Sequence, residues 1–131
     1  MFENRVEADF AAAHFLKDYH GKCENLHGHN YKVYAHVRGE ELDEGGMLVD
    51  FSILKAALRK VCGELDHTNL NDKEENGRSV FMQNPSAERI ACWIFRRLRD
   101  ELKKADDHAA AMLYAVDVFE TPGSRARYIE Q

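Results

Sequence analysis

The sequence predicts an α+β protein, with a four-stranded antiparallel sheet covered on one face by two helices in the order β-β-α-α-β-β. Three observations carry that prediction. Segments near both termini alternate apolar and polar residues with the period of two of a half-buried strand. Two central segments repeat apolar residues at helical spacing, and the pairs Gly45-Gly46 and Pro122-Gly123 supply turns.

The first strand is expected over 5–16, "RVEADFAAAHFL", with Phe10, Ala12, His14 and Leu16 on one face. A polar loop, "KDYHGKCENLHG", leads to "HNYKVYAHVRGE" (29–40). Here Tyr31, Val33, Ala35 and Val37 face one way, and Asn30, Lys32, Tyr34, His36 and Arg38 the other. "FSILKAALRKVCGEL" then places Leu54, Leu58, Val61 and Leu65 on one helical face, with Asp50 or Ser52 as N-cap. "DHTNLNDKEENGRSVFMQ" is polar and reads as irregular. The second helix is expected to open with Asn84 as N-cap and Pro85 at its first position, and to run through Ile90, Ile94, Leu98 and Leu102. Its closing lysines suit the negative end of the helix dipole. "AMLYAVDVFET" (111–121) alternates again, and "SRARYIE" forms a last short strand.

The 131 residues suit one domain spanning 1–131, large enough to bury a core without disulfides. A net charge of −5 argues against a general nucleic-acid binder, because phosphate backbones call for a basic surface. No apolar run approaches the ~20 residues of a membrane span, so no membrane partner is expected. The N-terminal residues lack the layout of a signal peptide, which places the chain in the cytoplasm as an expectation. An odd cysteine count there points to free thiols. Cys62 and Cys92, in helical stretches among apolar neighbours, are read as small core residues, and Trp93 and Phe95 as packing residues.

The chemistry concentrates in "KCENLHGHNY" (22–31). In an extended chain His27 and His29 project to the same side, and Gly28 between them leaves the backbone free to bring the rings together. A catalytic zinc takes three protein ligands and keeps one position open. His14, on the strand expected to pair with the one starting at His29, is the natural third ligand; His20 and His36 are weaker candidates. Cys23 could close the site as a fourth ligand or stand beside it as a reactive thiol, and spacing leaves both possible. Taken singly, the other candidates are ordinary. Asp66-His67 reads as a helix end with a surface histidine, Glu120 as a solvated strand residue, and His14 as a core histidine.

Together the blocks "FAAAHFL", "KCENLHGHNYKVYAHVRG", "GGMLVDFSILK", "LDHTNLND", "NPSAERIACWIF" and "VFETPG" resemble the 6-pyruvoyl-tetrahydropterin synthase family, in order from about residue 8 to 123. The nearest branch is the bacterial 6-carboxytetrahydropterin synthases of the queuosine pathway. The resemblance implies zinc held by His14, His27 and His29, with Cys23 as proton acceptor. It implies an Asp66-His67 pair that relays protons, and Glu120 gripping the pterin ring and joining the relay. It implies the tunnelling fold (T-fold), in which subunits join their sheets into a barrel, trimers stack into a homohexamer, and active sites lie at subunit interfaces. The implied substrate is 7,8-dihydroneopterin triphosphate. The implied products are 6-carboxy-5,6,7,8-tetrahydropterin, acetaldehyde and triphosphate.

Two alternatives stay within the family: triphosphate elimination to 6-pyruvoyl-tetrahydropterin, and an aldolase-like reaction with Glu24 as base. A third is a non-catalytic zinc-stabilised oligomer, in which Cys23 would ligate the metal. Cations for the triphosphate are expected from Lys17, Lys22, Arg125 and Arg127.

Overall fold

In the computed structural model, which describes residues 1–17, 25–82 and 84–130, the N-terminal alternation becomes two long antiparallel strands, β1 (Phe2–His14) and β2 (His27–Gly39). Each begins two to three residues before its expected start. Of the predicted inward sets, Phe10, Ala12 and His14 of β1 and Tyr31, Val33, Ala35 and Val37 of β2 are buried, while Leu16 lies past the end of β1 and is half-buried. Helix α1 (Phe51–Gly63) is capped by Asp50, whose carboxylate accepts from the Ser52 N–H at 2.8 Å.

Between α1 and the second helix lies more order than the polar composition suggests. A two-residue strand β3 (Thr68–Asn69) pairs parallel to β1 at Ala12–Ala13, followed by a 3-10 turn Leu70–Asp72. A two-stranded ribbon follows, β4 (Glu74–Glu75) with β5 (Arg78–Ser79). Asn76 and Gly77 turn it with φ of 54° and 75°. Asn-Gly is the residue pair that such a turn favours, because both positions need positive φ.

Helix α2 (Ala87–Ala105) buries Ile90, Ile94, Leu98 and Leu102, as predicted. Its N-cap is Ser86 rather than Asn84: the Ser86 hydroxyl accepts from the Arg89 N–H, and Pro85 stands outside the helix. A short helix α3 (Asp107–Met112), capped by Asp106, is an addition to the predicted pair. Strands β6 (Leu113–Thr121) and β7 (Ser124–Ile129) complete the sheet.

The sheet order is β3-β1-β2-β6-β7. The α+β class and the four long antiparallel strands stand. The predicted strand count is corrected to five, with one short parallel strand on the edge, a separate ribbon and three helices among the described residues. The reason is local. β3, β4 and β5 are two residues each, too short to show periodicity, and only pairing to a neighbour defines them. α1 and α2 feed one apolar core with the inward residues of β1, β2 and β6. Among the described residues, no helix is long and apolar enough to cross a membrane.

Candidate metal centre

The register of the sheet builds the site. His14, the last residue of β1, pairs directly with His27, the first residue of β2, and Ala12 pairs with His29. Period-two alternation then sends all three imidazoles to the helix-covered face, at the end of the sheet. Lys32 pairs with Phe119 across β2 and β6, so Glu120, one residue on, comes opposite Tyr31 on that same face. Donor atoms of His14, His27, His29 and Glu120 all lie within 4.8 Å of one another. Gly28 is not required by sterics: a Cβ there would meet only the Ala12 carbonyl at an ordinary 3.7 Å. Strand geometry alone brings the rings together.

Hydrogen bonds fix which ring nitrogens face inward. His14 Nδ1 lies 2.8 Å from the Pro85 carbonyl oxygen and His27 Nδ1 lies 2.7 Å from that of Asn25. A carbonyl oxygen only accepts, so each Nδ1 carries a proton, and in the neutral ring Nε2 is then the atom with the lone pair. Those two Nε2 atoms are 3.0 Å apart. Were both rings neutral, two lone pairs at that distance would repel unless a proton or a metal cation sat between them. The buried Nε2 of His29 makes no well-directed hydrogen bond among the described residues, although Glu120 Oε1 lies 3.0 Å from it. Burial pushes the His29 pKa down, and the neighbouring His14 and His27 push it further, against the pull of Glu120. The neutral form that results is the ligating form. Around a tetrahedral zinc with nitrogen at about 2.0–2.1 Å, donor atoms stand roughly 3.3 Å apart. The group could therefore hold a metal ion.

The surroundings of His14 hold it in place, and they include residues that the sequence reading left without a role. The Asn71 amide clamps the next residue both ways, accepting from the Phe15 N–H at 2.9 Å and donating to the Phe15 carbonyl at 3.0 Å. The Asn84 side chain does the same for Lys17, so the expected cap residue is spent on the loop instead. Tyr31 is fully buried, stacks on Phe10 with ring centroids 4.7 Å apart, and brings its hydroxyl to 3.2 Å from His14 Nδ1. The inward position of Tyr31 is legible from alternation; its contact with His14 is not.

Asp66 and His67 do not join the histidine group. They lie against β1 at Ala11: the Asp66 carboxylate accepts the Ala11 N–H at 2.8 Å and the His67 N–H donates to the Ala11 carbonyl. His67 Nε2 is 3.4 Å from Asp66 Oδ2, and its side chain is 83% exposed. His67 adopts φ of 57°, a left-handed conformation uncommon for a residue with a Cβ and worth noting where chemistry is expected. An open cavity of about 550 Å³ is lined by Ala11, Gly28, His29, Asn30, His67 and Thr68, which brings His29 and His67 to its walls.

Cys23, His20, Lys22 and Glu24 lie outside the described residues. His36 is far along β2 and is buried against Asp117, Nε2 to Oδ2 at 2.7 Å, so it belongs to a different cluster. Arg127 binds that same Asp117, and Arg125 sits beside it on β7. Cys62 is buried, and burial with the nearby Asp9 and Asp66 pushes its thiol up to about 12, which makes it inert. Phe95 is buried in the core and Trp93 packs edge-on against Phe81.

Comparison with known proteins points the same way. A family model described as 6-pyruvoyl tetrahydropterin synthase matches residues 3–131. A Synechocystis protein named 6-carboxy-5,6,7,8-tetrahydropterin synthase is 39% identical over 93% of this chain and 88% of its own length. A Bacillus subtilis protein of the same name is 36% identical, covering 97% of this chain and 84% of its own. The solved structure of Caenorhabditis elegans 6-pyruvoyl tetrahydropterin synthase superposes with a TM-score of 0.80 at 29% identity, over 99% of this chain and 96% of that one.

Proposed function

Because the chain belongs to the 6-pyruvoyl tetrahydropterin synthase family, we propose that it is a zinc-dependent lyase acting on 7,8-dihydroneopterin triphosphate. The products in this reading, formed with the uptake of one water, are 6-carboxy-5,6,7,8-tetrahydropterin, acetaldehyde and triphosphate, in the service of queuosine biosynthesis. The observation that carries it is the convergence of His14, His27, His29 and Glu120, whose donor atoms all lie within 4.8 Å of one another.

His14, His27 and His29 hold the ion, and His14 does so with its ring fixed by the Pro85 carbonyl. Zinc held there supplies Lewis acidity that makes the C–H bonds beside the substrate's side-chain hydroxyls more acidic. Cys23 is assigned as the base that takes a proton from a side-chain carbon. His67, with Asp66 at 3.4 Å, is assigned to move the second proton. A carboxylate matches the paired N–H donors of a 2-amino-4-oxopteridine, and Glu120 is assigned to grip them.

Asp66 and His67 lie at the outer edge of β1 rather than in the histidine group. That supports the T-fold arrangement in which they serve the site of a neighbouring subunit. A homohexamer of stacked trimers, acting in the cytoplasm, completes the reading.

The test is to incubate zinc-loaded protein with 7,8-dihydroneopterin triphosphate and assay acetaldehyde together with the pterin product. Acetaldehyde in step with a 6-carboxy product is the expected result, and absence of turnover overturns the proposal. A 6-pyruvoyl product without acetaldehyde would select the triphosphate elimination suggested by the name of the Caenorhabditis elegans neighbour.

A further inference from the structure

We propose that the cavity between α2 and the β4–β5 ribbon is a second ligand site, one that takes a small planar aromatic acid. It is separate from the histidine group: no residue belongs to both, and neither a metal nor the pterin reaction enters the argument.

The cavity holds about 350 Å³, within the roughly 300–1,000 Å³ of small-molecule sites. Helical spacing builds one wall. Arg89, Trp93, Arg96 and Asp100 follow one another along α2 at alternating steps of four and three residues, so their side chains share a face. Val80 and Met82, just past the ribbon, add apolar surface. Met82 is 74% exposed and Trp93 is only half-buried, so a planar ring laid against them would withdraw apolar surface from water.

Two positive charges in the lining lack a counter-charge. Arg97 also lines the cavity, but Glu64 and Glu101 hold it at 2.9 and 3.1 Å. Arg89 instead donates through Nη1 to the Phe81 and Asn84 carbonyls, at 3.1 and 3.3 Å. Arg96 meets the Tyr128 side chain, with Glu130 acting on it only at longer range. Glu75 and Asp100 line the cavity too, exposed and paired with neither arginine among the described residues. The two carbonyl bonds hold the Arg89 guanidinium in place, and a fixed planar fork suits the oxygens of a carboxylate, sulfonate or phosphate. In a chain of net charge −5, a cleft with two such guanidinium groups is where an anion gathers. The ligand class follows from the lining: an aromatic ring for Trp93 and Met82, an anionic group for Arg89 and Arg96.

Trp93 is the one tryptophan of the chain, so its emission reports on this cavity. The probe is anilinonaphthalene sulfonate, titrated into the native protein and compared with phenylnaphthylamine, the same ring system without the sulfonate. Wild type should bind the sulfonate saturably, with quenching of Trp93 in step with the rise of dye emission. It should bind the neutral dye roughly tenfold more weakly, the effect of one charge-assisted hydrogen bond. Arg96→Gln, at an exposed position that the fold tolerates, should weaken sulfonate binding by roughly the same factor and leave the neutral dye unaffected. Lys103→Gln removes an equal charge from an exposed position of α2 outside the cavity, and should change neither affinity. Far-UV circular dichroism checks that both variants fold. The proposal is overturned if the sulfonate does not bind, if the two dyes bind equally well, or if dye emission rises without quenching of Trp93. It falls too if Arg96→Gln binds the sulfonate as wild type does, or if Lys103→Gln loses as much as Arg96→Gln.

Discussion

His14 is held at three points: its own ring on the Pro85 carbonyl, Phe15 on the Asn71 amide, and Lys17 on the Asn84 amide. Metal sites depend on such supports, and losing one typically costs roughly 10–100-fold in affinity. Asn71→Ala removes both hydrogen bonds to Phe15, and should weaken zinc binding by about that factor in chelator competition. It should also lower stability by about 1–3 kcal/mol in urea unfolding, because the Phe15 backbone groups lose their partners. His14→Ala should abolish stoichiometric zinc outright, read by elemental analysis of the folded protein. The histidine trio was legible because two residues of spacing on a strand fixes a shared face, and His14 and His27 sit at the adjoining ends of one hairpin. Glu120 stands among the histidines only because β2 pairs with β6, a contact between distant stretches of chain that no local pattern encodes. The amide clamps were hidden for a similar reason: an asparagine before a helix looks the same whether it caps that helix or holds a loop.

At the scale of elements, periodic segments could be read and short paired ones could not. The helices and long strands follow from their apolar stripes, while β3 exists only because Ala12 and Ala13 offer it an edge. The β4–β5 ribbon did carry a signal in Asn76-Gly77, passed over because its flanks are polar rather than alternating. Helices α1 and α2 are joined by a charged cluster in which Glu101 meets Lys60 at 2.7 Å and Arg97 at 3.1 Å. The Lys60 hydrogen bond, with Arg97 and Lys104, pulls the Glu101 carboxyl from 4.5 down to about 2 against the cost of desolvation. A depressed carboxylate stabilises the fold above its unfolded pKa, and that contribution is lost as pH falls through the folded value. Stability should therefore decline between about pH 4.5 and pH 2 in part through Glu101. Glu101→Gln should flatten that acid limb in thermal melts taken across the window.

For the whole molecule, the decisive feature is that the sheet is open at both sides. β7 has no outer neighbour among the described residues, and β3 covers β1 only at Ala12–Ala13. The two edges differ in net charge: β1 exposes Glu3, Arg5, Glu7 and Asp9, and β7 exposes Arg125 and Arg127, which also reach Asp117 within the same chain. That complementarity favours joining β1 of one copy to β7 of the next, as the proposed barrel requires. The double substitution Glu7→Lys with Asp9→Lys should shift the protein toward monomer in analytical ultracentrifugation, with the far-UV circular dichroism of each chain unchanged. Nothing in the alternation of a single strand distinguishes a sheet that ends at its edge from one continued by another copy, so assembly entered the sequence reading only through family resemblance. The open edge of β1 also bears on the chain before it finds its partners. Unpaired backbone is a template for indiscriminate stacking, and long flat apolar edges are what fibrils recruit. Here Glu3, Arg5, Glu7 and Asp9 fall on every second residue of that edge, so a mispaired copy in register would set like charges against each other. The outward half of the strand's alternation thus guards the newly made subunit against its own aggregation.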